Sequence, residues 1–115
     1  MSVMATEQIE LDLSPLVTPD LEPTATIVER FEAFHAANPH VAAGLEHLAA
    51  EWLGAGHRKV GVKALVERLR WEAGIRTSGD DYRINNDFTS HYARLLIERR
   101  PEWADAIETR ALRAE

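Results

Sequence analysis

The stretch VGVKALVERLRWEAG, residues Val60 to Gly74, decides how this chain is read. Val62, Leu65, Val66, Leu69 and Ala73 recur at i, i+3, i+4, i+7 and i+11, the period that stacks apolar side chains on one face of an α-helix. The spacing predicts a helix that Gly74 ends as its C-cap, with Val60 just ahead of it in a short strand position.

Upstream, Asn38-Pro39 is a restart signal, because asparagine can accept orphan backbone N–H groups and proline fits the first helical turn. The helix it opens carries Val41, Leu45, Leu48 and Trp52 as its apolar stripe, and Gly54 or Gly56 supplies the left-handed turn that stops it. An earlier helix is capped by Thr24 or Thr26, aligns Ile27, Phe31 and Phe34, and ends near Asn38. Downstream, IRTSGDDYRI offers two alternating segments around a turn-rich centre, the pattern of a small β-hairpin, with an ordered loop as the alternative. Asn86 or Asp87 caps a further helix in which Phe88, Tyr92 and Leu95 or Leu96 point inward. Pro101 opens a last helix with Trp103, Ala104, Ile107 and Ala111 on one side. The expected fold is mainly α, a compact bundle of about five helices, with a helix-turn-helix-like centre and a small β-hairpin. Residues 25–115 form its single domain, and residues 1–24, with Pro15, Pro19 and Pro23 among acids, read as a flexible arm. Within that arm ELDLSPLV also suits docking as a short strand or a partner peptide.

The 115 residues, 45% of them hydrophobic, suffice for one continuous core. No apolar run approaches the ~18 residues that cross a bilayer, and the N-terminus has acids where a secretory signal has bases, so a soluble protein of the cytoplasm is expected, without a membrane partner. Cysteine is absent, which excludes disulfides, thiol nucleophiles and cysteine-based zinc sites.

The net charge of −6 is unevenly spread. Nine acids face Arg30 alone before His57, giving −8, whereas ten bases face six acids from His57 to Arg100, giving +4, and the remaining tail carries −2. A basic middle between acidic ends is either a phosphate-facing patch or a sorting of salt-bridged helices.

Two helices around a connection, with VKALVERLR as the bracing helix, resemble a helix-turn-helix unit. Asn85 and Asn86 stand at the N-terminus of the second helix, with Thr89, Ser90, His91 and Arg94 outward or lateral. Asparagine and arginine are the side chains whose paired hydrogen-bonding groups match adenine and guanine edges. Against this, the connection is about a dozen residues where the usual turn has ~3–4, and polar outward residues suit any solvated helix. A variant makes the earlier helix the reader, with Lys63, Glu67, Arg70 and Trp71 outward and IRTSGDDYRI as a wing. The DNA contacts expected are Lys63, Arg70, Asn85, Asn86, Ser90 and Arg94. Trp71 lies opposite the buried stripe, where a covering segment or a protein interface would engage it.

Other constellations carry less. His40, His47 and Glu51 share a helix face without converging as metal ligands, and Asp80-Asp81 suits a turn better than a cation site. No phosphate loop, dinucleotide fingerprint or serine elbow occurs, and adjacent Ser90 and His91 diverge by about 100° on a helix. The reading therefore has no catalytic residues, no metal and no cofactor.

The run from FEAFHAANPHV through VKALVERLRWE to SGDDYRINNDFTSHYARLLIERRPE, closed by ETRALRA, resembles a family of small uncharacterised proteins of bacteriophages and prophages. The resemblance covers about residues 27–113 and brings no catalytic residues with it. It implies a setting in the host bacterial cytoplasm, where small helical proteins regulate transcription or block a host protein. The expectation is a non-enzymatic regulator binding double-stranded DNA as a homodimer; the alternative is a protein-interaction module that inhibits a host protein.

Overall fold

The computed structural model describes residues 11–76 and 82–108. Helix α1 spans Ile27–Ala37 and begins in a capping box: Thr26 Oγ1 accepts the Glu29 N–H at 3.1 Å, and Glu29 Oε1 accepts the Thr26 N–H at 2.8 Å. Phe31 and Phe34 enter the core as their spacing predicts, while Ile27, before the first turn closes, stays exposed.

Helix α2, Pro39–Gly54, follows Asn38 directly. Asn38 ends one helix and starts the next, yet its side chain does not cap α2. It is fully buried, and its carboxamide instead brackets Val17: Oδ1 accepts the Val17 N–H at 2.7 Å and Nδ2 donates to the Val17 carbonyl at 2.8 Å. The upstream segment lies against the core through Leu11, Leu13 and Leu16, with a further 3.0 Å contact between His40 Nε2 and the Ser14 carbonyl.

Val41, Leu45 and Leu48 are buried, but Trp52 is not. It lies in the last turn of α2, where its indole N–H donates to the Lys59 carbonyl at 2.9 Å and its ring stacks on His57 with centroids 3.7 Å apart. Gly56, at φ 109°, turns the chain in the left-handed region that glycine favours.

Strand β1, Val60–Gly61, leads into helix α3, Val62–Arg76, whose five predicted stripe residues are all buried. Gly74 does not stop α3, which continues to Arg76. Ile75 and Arg76 are therefore helical rather than the first arm of a hairpin, and Tyr82–Asn85 pair with no strand among the described residues. Residues 77–81, where that hairpin's turn is expected, lie outside the described residues.

A single 3₁₀ turn, Asn86–Phe88, precedes helix α4, Thr89–Arg99. Its cap falls one residue earlier than expected: Asn85 Oδ1 accepts the Asp87 N–H at 2.8 Å. Phe88, Tyr92 and Leu96 point into the core, with Ala93 beside them.

The helix expected from Pro101 does not form within the described residues; Ala111 lies outside them. Pro101–Trp103 make one 3₁₀ turn, and the chain then extends into strand β2, Ile107–Glu108, which pairs in parallel with β1 in the register Val60↔Ile107. The Ala106 carbonyl accepts the Val60 N–H at 2.9 Å, a bond made across the fold rather than along a helix. The described residues thus form a mainly helical fold with four α-helices and one two-stranded parallel sheet, not five helices. Tyr92, Leu45, Leu69, Leu96 and Val41 are the largest fully buried apolar side chains, and α2, α3 and α4 meet around them. None of the described helices is long and apolar enough to cross a membrane.

Candidate nucleic-acid interface

The buried stripe of α3 fixes the direction of its other residues. Lys63, Glu67 and Arg70 follow at i, i+4 and i+7 along one flank, toward the segment that enters α4. Between that flank and Arg83–Asn86 lies an open cleft of about 390 Å³. Lys63, Arg70, Arg83, Asn85 and Asn86 line it together with Glu67, over Val66 and Ile84. Lys63 Nζ donates to Asn86 Oδ1 at 3.3 Å, so the two elements touch across the cleft through their polar side chains.

Four of the six expected contact residues are thereby brought together: Lys63, Arg70, Asn85 and Asn86. Ser90 and Arg94 do not line the cleft; they follow Asn86 at four-residue spacing along α4, Ser90 half-buried and Arg94 exposed. Thr89 turns back to donate to the Asn86 carbonyl at 3.1 Å, and His91 stacks on Phe31, so neither projects freely. Arg83 is a lining residue that the hairpin expectation overlooks. The alternation that suggests a strand does carry the signal, since Tyr82 is buried and Arg83 exposed.

The basic middle of the sequence is partly used within the fold. Arg99 and Arg100 reach Glu46 on α2 at 3.1 and 2.8 Å, and Arg68 and Arg76 flank Glu72 at 2.9 and 3.0 Å. Arg70 meets Glu67 at 3.2 Å, with both side chains exposed and the pair correspondingly weak. Arg58, Lys59, Lys63 and Arg94 form no ion pair among the described residues.

Trp71 is 66% exposed, with Ile75 equally exposed one turn on. No described segment covers either ring or branch. A second groove of about 560 Å³ opens on the opposite flank of α3, between Ala64, Arg68 and the Trp52–His57 stack. Among the described residues no three His, Asp or Glu side chains gather as metal ligands; His40 is held at the Ser14 carbonyl, and Asp80-Asp81 lie outside those residues.

No family model, curated protein or solved structure matches this chain.

Proposed function

We propose that this chain is a non-enzymatic protein of phage type that binds double-stranded DNA and regulates transcription, with α3 and α4 as a helix-turn-helix-like pair joined by an enlarged connection. The observation that carries the reading is the cleft in which Lys63, Arg70 and Arg83 meet Asn85 and Asn86. Lysine and arginine there supply charge for phosphate, and the carboxamides supply the paired donor and acceptor that an adenine edge needs. Arg94, without an ion pair among the described residues, extends the basic surface along α4. A homodimer in the host cytoplasm completes the proposal.

The test is fluorescence anisotropy of labelled duplexes across a salt series. Reversing Arg70 and Arg94 together to glutamate should weaken binding and lower the slope of log K against log salt by about 2, near one for each phosphate no longer neutralised. Asn86→Ala should reduce discrimination between duplex sequences while leaving that slope in place. An unchanged slope in the doubly reversed protein removes Arg70 and Arg94 from the interface.

A second reading, a module that occupies and inhibits a host protein, is favoured by the exposure of Trp71. Trp71→Ala should then release a co-purifying host protein; a complex that survives the change is not anchored there.

A further inference from the structure

The outward face of α3 carries a second pattern beside its buried one. Ala64, Arg68, Trp71 and Ile75 follow at i, i+4, i+7 and i+11, which aligns them in one stripe on the solvent side. Trp71 and Ile75 are each 66% exposed and the Arg68 side chain 60%. Ala64 is exposed as well, at the mouth of the groove beside the half-covered Trp52. Two large apolar groups so exposed one turn apart, Trp71 and Ile75, belong against another surface.

We propose that this stripe is a self-association surface, on which a second copy of the chain lays its own α3 antiparallel. A two-fold axis passing between Leu69 and Arg70 sets Ala64 against the partner's Ile75 and Arg68 against the partner's Trp71. A small residue then receives a large one, and a guanidinium lies over an indole face, the arrangement in which the ring quadrupole attracts a cation. Parallel pairing is disfavoured by charge, because it would bring Arg68 onto its own copy and leave the indole without a cation. Glu72, paired with Arg68 and Arg76, and Glu67, paired with Arg70, border the stripe, so bases do not run unbroken beside it. The symmetry also turns the flank bearing Lys63 and Arg70 toward the same side in both copies. Pairing through this stripe requires no DNA.

Because the chain has no cysteine, introduced thiols report the pairing directly. Sedimentation velocity of the full chain over a concentration series should show a monomer–dimer equilibrium, shifted at least tenfold toward monomer by Trp71→Glu with unchanged circular dichroism. Ala64→Cys and Ile75→Cys proteins, mixed and mildly oxidised, should form a mixed disulfide, while each alone stays largely uncrosslinked. A chain monomeric at every concentration overturns the proposal and returns the stripe to a different partner. Undiminished dimerisation of Trp71→Glu overturns it too, as does Ala64→Cys alone crosslinking as well as the mixture.

Discussion

Asn38 shows how much one side chain can do when it is buried. Its carboxamide satisfies both backbone groups of Val17 and also donates to the Phe34 carbonyl at 3.0 Å. Asn38→Ala removes three bonds and strands partly buried polar groups, so it should cost about 2 kcal/mol. Urea unfolding should record a lower midpoint with an unchanged m value. Asn38→Asp keeps the acceptor but sets a carboxylate against two carbonyls, and should cost at least as much. The sequence marks Asn38 as a helix boundary, which it is, but the partner it holds is remote in the chain and no local pattern indicates it. Tyr92 presents the opposite case. Its hydroxyl is buried without a hydrogen-bond partner among the described residues, as is that of Tyr82. Burial raises the pKa of both phenols, Tyr82 to about 12, with Asp12 adding to the effect there. A folded pKa above the unfolded value means stability that is complete below about pH 10 and drains away above it. Tyr92→Phe should therefore be neutral or stabilising by up to ~1 kcal/mol at neutral pH, and should lose less stability than the parent at alkaline pH. Chemical denaturation at both pH values checks it.

At the scale of elements, two glycines in neighbouring helices predict opposite results from one substitution. Gly74, inside α3, has open space where a Cβ would stand, so Gly74→Ala should gain about 0.5–1 kcal/mol from helix propensity. Gly44, inside α2, would place its Cβ 3.1 Å from Leu69 Cδ1, and Leu69 is fully enclosed where α2 crosses α3. Gly44→Ala should therefore destabilise despite the same propensity gain. Thermal melts of the two variants side by side decide the matter. The helices themselves are legible because their stripes are local: α3 shows its whole buried face in the order of its residues. Gly74 resembles a stop because a glycine within a helix and one after it are identical in sequence. The segment after Pro101 misleads for a related reason. Trp103 and Ile107 have helical spacing and both are buried, but the Ala106 carbonyl just before Ile107 is taken by the N–H of Val60, a distant residue. Helix periodicity cannot register a bond that another part of the chain will take.

For the whole molecule, the uneven charge along the chain becomes partly an internal matter, since Glu46 from the acidic half draws in Arg99 and Arg100 from the basic one. The cleft is legible to the extent that its residues sit in two short runs, Lys63–Arg70 and Arg83–Asn86; that the runs face each other is a property of the packing of α3 and α4. The pairing of β1 with β2 has a consequence for how the fold is reached. It closes a loop containing all of α3 and α4, at an entropic cost of about 3 kcal/mol or more, and two residues per strand return little until the helices have docked. The clasp should thus close late, after the rate-limiting step. Ile107→Ala should speed unfolding while leaving the refolding rate nearly unchanged, a φ value near 0 by stopped-flow kinetics, whereas truncating Leu69 should slow refolding. A clasp of that kind governs how long the native state lasts rather than how fast it is found.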